Sequence, residues 1–187
     1  MLVFPGKDGA LTIMPRFWIP QDSAQKRERR DRVPYTAWAR QGLIETTPGN
    51  VIDYDRIRTH INDLKKRFNI KEIAIDRWNA TQLAVQLQGD GFEVVAFGQG
   101  FKDMTAPTKE FEKLVMSGKL RHGGHPVLRW MASNVAVETD AAGNLKPSKK
   151  RSTERIDGIV AAIMGLGRLL VQPVEQRFQI TRGIIWI

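Results

Sequence analysis

Two aspartates that lie 81 positions apart have the surroundings expected of metal ligands. Asp76 ends the apolar run Ile73-Ala74-Ile75, and Asp157 opens the apolar run that continues to Met164. One acid therefore lies at the end of a predicted strand, and the other at the start of a predicted helix. Carboxylates hold divalent metals, and such metals activate water and stabilise the leaving oxygen of a phosphodiester. The pattern is typical of a metal-dependent nuclease.

Each aspartate also has an ordinary structural alternative. Aspartate is a favoured helix N-cap, so either residue could simply cap the helix that follows it. Two observations favour a site. Functional sites of open α/β sheets form at the carboxyl ends of strands, and each acid offers the other a partner of the right type. Arg77, Trp78 and Asn79 directly follow Asp76 and are predicted neighbours of the site.

A basic stretch leads directly into Asp157. Between residues 146 and 155, five cations occur with a single acid, Glu154. A run of charge is most often a solvated surface, but cations next to a metal site would meet the phosphate backbone, which dominates affinity for nucleic acids. We therefore predict five DNA-binding residues: Lys146, Lys149, Lys150, Arg151 and Arg155.

Composition narrows the class of protein. The 187 residues carry 29 Lys plus Arg and 20 Asp plus Glu, a net charge of +9. Such a charge is typical of proteins that bind polyanions, but a merely soluble basic protein explains it equally well. The absence of cysteine excludes disulfides, thiolate zinc sites and cysteine nucleophiles. No phosphate-binding loop of the G-x-x-x-x-G-K-[ST] type is present, so the chain is not an ATPase by itself. No signal peptide and no apolar run of ~20 residues is found, which predicts a cytoplasmic protein without membrane contact.

The order of elements predicts an α/β fold. Residues 2–4 and 11–13 form a hairpin, and Asp53 caps a helix whose apolar residues recur at helical spacing. Strand, helix, strand and helix then follow in turn, which implies parallel pairing. The remaining predicted elements are a strand at 71–75, a helix around 83–87, a strand at 92–97, a helix from Pro107, a loop at 140–152 and a long helix at 156–169. The last helix is rich in glycine and alanine, which would allow close packing on a sheet.

The sequence gives less reason to place the histidines and tryptophans in a functional site. His122 and His125 could form a metal-binding pair, but no cysteine and no nearby acid would complete it. The five tryptophans are better explained as core and sheet-edge residues than as base-stacking platforms. Trp78 is the exception, because it lies two residues from Asp76.

Five ordered blocks resemble the C-terminal nuclease domain of the large terminase subunits of tailed phages. They are Pro-Arg-Phe-Trp-Ile-Pro (15–20), Thr-Pro-Gly-Asn-Val-Ile-Asp-Tyr (47–54), Ile-Asp-Arg-Trp-Asn-Ala (75–80), Phe-Gly-Gln-Gly (97–100) and Arg-Ile-Asp-Gly-Ile-Val-Ala (155–161). The resemblance implies a ribonuclease H-like mixed sheet flanked by helices. It also implies cleavage of concatemeric viral double-stranded DNA during packaging in the bacterial host, with a terminase small subunit and a portal as partners. The acids that hold Mg²⁺ or Mn²⁺ in that family match Asp76 and Asp157.

One departure from the family pattern concerns the first strand. The family begins this domain with a central strand that carries its first metal-binding aspartate, whereas Met1 falls in what corresponds to the second strand. Asp8 lies in the hairpin turn and does not replace that acid. We therefore expect residues 1–187 to be a single nuclease domain that lacks the ATPase domain and the first strand. The alternative is a truncated, catalytically inactive prophage remnant that keeps the fold and DNA affinity.

A sheet without its central strand must close the gap that the strand leaves. The apolar segment Ile184–Ile187 could insert, or a second copy could pair with the open edges to give a homo-oligomer. Both routes are favoured over direct pairing of Leu2–Phe4 with Ile73–Ile75, because the hairpin would have to move by a strand spacing of ~4.8 Å.

Overall fold

A computed structural model describes residues 1–76 and 81–172, and it shows a mixed α/β fold. The helices in these ranges are α1 (Gln21–Asp31), α2 (Tyr35–Arg40), α3 (Tyr54–Lys65), α4 (Thr81–Gly89), α5 (Phe101–Met116), α6 (Pro126–Asn134) and α7 (Asp157–Val171). The strands are β1 (Leu2–Pro5), β2 (Leu11–Met14), β3 (Trp18–Pro20), β4 (Glu45–Thr47), β5 (Ile73–Asp76), β6 (Val94–Phe97), β7 (Leu120–Arg121), β8 (Val137–Thr139) and β9 (Leu145–Pro147). None of the helices in the described ranges is long and apolar enough to cross a membrane.

The strands pair as short local sheets. The predicted hairpin is confirmed, since β1 and β2 are antiparallel, and β2 also pairs in parallel with β7. The predicted parallel pairing of consecutive strands is confirmed as well, because β5 and β6 lie in parallel with Asp76 opposite Phe97. Two further pairs complete the set, β3 with β4 in parallel and β8 with β9 antiparallel. Within the described ranges, β1 and β5 do not pair with each other.

Helix α7 lies at the centre of the main core, and its glycines allow side chains of neighbouring elements to approach it closely. A Cβ atom added at Gly158 would lie 2.8 Å from the ring of Phe17, and one at Gly167 would lie 2.7 Å from the ring of Phe97. At Gly165 the added atom would lie 2.6 Å from the side chain of Val3 in β1. The prediction that small residues allow this helix to approach the sheet is confirmed.

Side-chain contacts at both ends of β5 fix the direction of α7. Glu72, just before β5, accepts hydrogen bonds from Arg168 (2.7 Å) and Gln172 (3.1 Å) near the end of α7. At the other end of β5, Gln99 contacts both Asp76 (3.0 Å) and the sulfur of Met164 (4.0 Å). Helix α7 therefore runs antiparallel to β5, and its first residue lies beyond the carboxyl end of that strand.

Two predicted boundaries were wrong. Helix α5 begins at Phe101 rather than at Pro107, which is buried inside it. Proline in a helix interior removes a backbone hydrogen bond, but here the ring packs against the backbone of α7 at Gly167. The predicted loop at 140–152 contains strand β9, which pairs with β8 around a turn in which Asp140 accepts hydrogen bonds from the backbone of Ala142 and Asn144.

The junction between α3 and α4 predicts a pH dependence of stability. Asp90, at the end of α4, accepts hydrogen bonds from Arg58 (2.7 Å) and Asn62 (2.7 Å) of α3. The bond from Arg58 and then the bond from Asn62 lower the pKa of Asp90 to about 2. Because the folded-state pKa lies below the usual value for aspartate, the contribution to stability is present above about pH 4 and is lost as pH falls towards 2.

We therefore expect Asp90→Asn to lower the free energy of unfolding at pH 6, and the deficit relative to the parent to shrink at pH 2.5. Urea unfolding of the variant and the parent at the two pH values measures this difference in the free energy of unfolding. Asp63→Asn is the matched control, because Asp63 pairs with Lys66 on an exposed surface where ion pairs contribute little. A deficit for Asp90→Asn that is equal at both pH values would contradict the prediction.

Candidate functional site

Asp76 lies where the carboxyl end of β5 meets the start of the loop after β6. Its side chain is partly buried, and its Oδ2 accepts a hydrogen bond from the amide of Gln99 at 3.0 Å. Gln99 follows β6, the neighbouring parallel strand, so the two side chains leave the same end of the sheet. The structure thus places Asp76 where sites of open α/β sheets form.

Asp157 is the first residue of α7, and it is not the N-cap. The N-cap is Ile156, which has no capping side chain. The carboxylate of Asp157 is 55% exposed and lies 3.0 Å from the ammonium of Lys149. A negative charge in the first turn is also stabilised by the helix dipole. The capping alternative therefore does not account for Asp157.

The two acids lie at the same end of the sheet without forming a compact cluster. Gln99 links Asp76 to Met164, which is seven residues after Asp157 and so about 10 Å from it along the helix axis. In the part of the chain that the structure describes, no group of three or more His, Cys, Asp or Glu residues could hold a metal ion. The two carboxylates are therefore separate from each other, and both lie beyond the carboxyl end of β5.

The basic stretch before α7 contains one partly buried cation and four exposed ones. Lys150, Arg151 and Arg155 are exposed, and Lys149 pairs with Asp157. Lys146 differs, because it is only 23% exposed, lies 3.5 Å from Glu138 and sits over the ring of Phe101. Four of the five predicted DNA-binding residues thus have accessible charge, whereas Lys146 is engaged in the packing of the β8–β9 hairpin.

Sequence reasoning missed two features of this region. Gln99 is part of the site through its contact with Asp76, and its only signal was its place in the Phe-Gly-Gln-Gly block. Helix α1 also adjoins the basic stretch, because Arg155 is among the charges that lower the pKa of Asp31, after the hydrogen bond and charge of Arg30 and the charge of Arg27. The charge pattern of α1 by itself indicates only a solvated surface.

Other predicted residues fall outside the site or outside the described ranges. Arg77, Trp78 and Asn79 are not in the described ranges, and neither is the segment 184–187. His125 packs against Phe17, and its pKa is lowered by burial and then by the charges of Arg16 and His122. His125 is therefore partly buried against an aromatic ring and next to a cation.

Comparison with known proteins shows which family the chain resembles. Residues 2–172 match the family model described as the terminase large subunit, endonuclease domain. The chain is 41% identical over 179 residues to the terminase large subunit of Enterobacteria phage HK97. It is also 32% identical over 176 residues to protein YmfN of Escherichia coli. The crystal structure of the HK97 bacteriophage large terminase matches with a TM-score of 0.83 and 40% identity, over 89% of this chain and 35% of that one.

The matches cover most of this chain but a minor part of its relatives. They include 94% and 91% of this chain, and 36% and 39% of the HK97 and Escherichia coli proteins respectively. The similarity therefore concerns one domain of longer proteins.

Proposed function

Because the chain belongs to the endonuclease-domain family of terminase large subunits, we propose that it is a metal-dependent DNA endonuclease domain with Asp76 and Asp157 at its centre. One observation carries the proposal. The antiparallel course of α7 brings Asp157 beyond the carboxyl end of β5, where Asp76 lies, beside the exposed cations of the basic stretch. Acids for a metal and cations for a phosphate backbone are thus found at one end of the molecule.

The donor chemistry of each aspartate fits a hard divalent cation, although the two carboxylates are separate in the described ranges. Mg²⁺ is commonly held by one or two carboxylates, with water and substrate phosphates completing the octahedron, so two aspartates suffice in number. When bound, Mg²⁺ or Mn²⁺ would lower the pKa of water and stabilise the leaving oxygen of a phosphodiester. With no third acid grouped with them in the described ranges, we expect weak affinity for the ion without DNA.

The side chains of this region have separate roles in the proposal. Gln99 holds Asp76 through the hydrogen bond to Oδ2 and so fixes the orientation of that carboxylate. Lys149 pairs with Asp157 at 3.0 Å, and it would be available to a phosphate if a divalent cation held that carboxylate instead. Lys150, Arg151 and Arg155 contact the phosphates of double-stranded DNA, which positions the strand without reading its sequence.

The wider role proposed here is that of the family. The domain would cut concatemeric viral DNA during packaging in the cytoplasm of a bacterial host, as a single unit spanning residues 1–187. In a complete large subunit it would act with an ATPase domain, a small subunit and a portal.

A second candidate is a DNA-binding prophage remnant without turnover. It is favoured by one observation, the absence of any cluster of three or more potential metal ligands in residues 1–76 and 81–172. Such a protein would keep the exposed cations of the basic stretch and would bind DNA as well as an active domain does.

Nicking of supercoiled plasmid separates the two candidates. We expect the protein to convert plasmid to open-circular DNA with Mn²⁺ or Mg²⁺, and not in the presence of EDTA. Electrophoretic mobility shift on the same preparation controls for folding. DNA binding without metal-dependent nicking would overturn the endonuclease proposal and support the remnant.

A further inference from the structure

Helix α1 presents a row of cations to solvent. Lys26, Arg29 and Arg30 are exposed and lie three or four residues apart from Lys26 onwards, so they share one face of the helix. Ala24, the buried residue of α1, lies on the other side of the helix and packs with the main core. We call the three cations the α1 face.

The acids of α1 leave this face cationic. Glu28 is only partly exposed and accepts a hydrogen bond from the backbone N–H of Thr36 at 2.8 Å. Asp31 is only 7% exposed and accepts a hydrogen bond from Arg30 at 3.1 Å. Of the acids in α1, only Asp22 is exposed. The other two cations of the α1 face form no ion pair with any described residue, so their charge is available to an anion.

A chain of contacts joins α1 to the end of the basic stretch. The hydrogen bond of Glu28 holds α1 against the first turn of α2. Tyr35, the first residue of α2, packs edge-on against Trp130 of α6, with 6.1 Å between the ring centroids. At the end of α6, Asn134 donates a hydrogen bond to the backbone carbonyl of Arg155 at 3.4 Å.

The electrostatic effects on α1 reflect the same proximity. The pKa of Arg30 is raised by the hydrogen bond and charge of Asp31, and also by the charge of Glu154. The pKa of Asp31 is lowered by Arg30 and then by the charges of Arg27 and Arg155. The α1 face therefore adjoins residues 154 and 155, where the basic stretch ends and α7 begins.

We propose that the α1 face binds the phosphate backbone of the duplex that lies on the basic stretch, and so extends the DNA-binding surface. This contact rests on the proposed function, which places double-stranded DNA against Lys150, Arg151 and Arg155. A duplex is long and uniformly charged, so a cationic surface next to its path contacts further phosphates without reading bases. An acidic protein would match the charge as well, but continuity with the basic stretch favours the duplex.

The length of α1 suits this partner. Its 11 residues extend for about 16 Å. Duplex DNA carries one negative charge per about 1.7 Å of its axis, so about nine phosphates fall within that length. Contact with even two of them is measurable, because each neutralised phosphate steepens the plot of log affinity against log salt by about 0.9.

Neutralising the unpaired cations of the α1 face tests the proposal. We expect Lys26→Gln/Arg29→Gln to flatten the salt plot by about 1.8 and to weaken binding at 50 mM salt on the order of tenfold or more, for unrelated duplex sequences alike. Glutamine keeps a long side chain with good helix propensity. Fluorescence anisotropy of labelled duplexes without metal measures the affinity.

The matched control removes one lysine and one arginine elsewhere. Arg67 and Lys71 are exposed, form no ion pair within the described ranges, and lie between α3 and the amino end of β5, away from Asp76. Arg67→Gln/Lys71→Gln should keep the salt slope of the parent. Equal slopes for the two double variants would overturn the proposal.

A charge-conserving exchange separates charge from packing. Lys26→Arg/Arg29→Lys should keep the affinity and the salt slope of the parent, because phosphate contacts depend on charge. A loss of affinity as large as that of the glutamine variant would overturn the proposal. Thermal unfolding of each variant checks that the fold is kept.

Cross-linking locates the duplex directly, because the chain has no native cysteine. Gln25 is exposed and lines the same surface groove as Lys26 and Arg29. We expect Gln25→Cys to form a disulfide with a duplex that carries a thiol tethered to its backbone. Gln88→Cys, at an exposed position near the end of α4, is the control. Cross-linking of Gln25→Cys no stronger than that of Gln88→Cys would overturn the proposal.

Failure of this proposal is distinguishable from failure of the proposed function. A parent that nicks plasmid with Mn²⁺, together with an unchanged salt slope for Lys26→Gln/Arg29→Gln, overturns only the contact with α1. A parent that does not nick, together with a flattened slope for that variant, supports the contact and overturns only the endonuclease.

Discussion

Replacing Asp76 or Asp157 by asparagine is expected to lower the rate of Mn²⁺-dependent plasmid nicking by more than ~100-fold. Substitution of residues that only orient a metal ligand lowers metal affinity or activity by up to ~100-fold. Asparagine keeps the shape of the side chain but removes the negative charge that a divalent cation requires. Calorimetric titration should show reduced Mn²⁺ binding heats for both variants. The rates of nicking and the titration are measured on the same preparations.

Retained DNA binding distinguishes the removal of a metal ligand from the loss of the fold. Without metal, Asp157→Asn should bind DNA at least as tightly as the parent, because the substitution releases Lys149 from its 3.0 Å ion pair. Asp55→Asn, at an exposed position in the first turn of α3, is the matched control for the removal of one carboxylate. Equal Mn²⁺ heats and equal nicking rates for the parent and both variants would exclude Asp76 and Asp157 from the site.

Local sequence signals predicted the elements that hold the two acids. Asp53 caps α3 by accepting hydrogen bonds from the backbone N–H groups of Asp55 and Arg56. Its position before a run of apolar residues at helical spacing predicted this cap. The run ending at Asp76 and the glycine-rich run after Asp157 became β5 and α7 with boundaries close to those expected. These signals succeed because capping and apolar periodicity depend on neighbours within a few residues.

Contacts between distant parts of the chain could not be predicted in this way. Gln99 reaches Asp76 only because β5 and β6 pair in register. The charge of Arg155 lowers the pKa of Asp31 only because the fold brings these residues, 124 positions apart, into the same region. Taking Pro107 as a helix start also predicted the wrong first residue for α5. This proline lies inside the helix, where its ring packs on Gly167. Tertiary packing decided each of these features.

Reversing the charges of the basic stretch is expected to weaken DNA binding on the order of 10²-fold at low salt, for all duplex sequences alike. Binding of a cation to a phosphate releases counterions, so the plot of log affinity against log salt should flatten by about 0.9 for each phosphate that is no longer neutralised. Without metal Lys149 pairs with Asp157, so the triple variant Lys149→Glu/Lys150→Glu/Arg151→Glu should flatten it by about 1.8, and by about 2.7 only where Lys149 is free of that pair. The double variant Lys150→Glu/Arg151→Glu, which leaves the Lys149–Asp157 pair intact, should flatten it by about 1.8.

A matched control makes the same change of charge on the opposite side of the sheet. Arg56, Lys66 and Arg67 are exposed, in or just after α3, and α3 packs on the face of β5 opposite to α7. Reversing all three should leave the salt slope close to that of the parent, because long-range charge alone is screened beyond about 10 Å at 0.1 M salt. Fluorescence anisotropy with labelled duplexes of two unrelated sequences, between about 50 and 200 mM salt, measures every slope. Equal slopes for the two triple variants would show that net charge, rather than the basic stretch beside Asp157, governs DNA affinity.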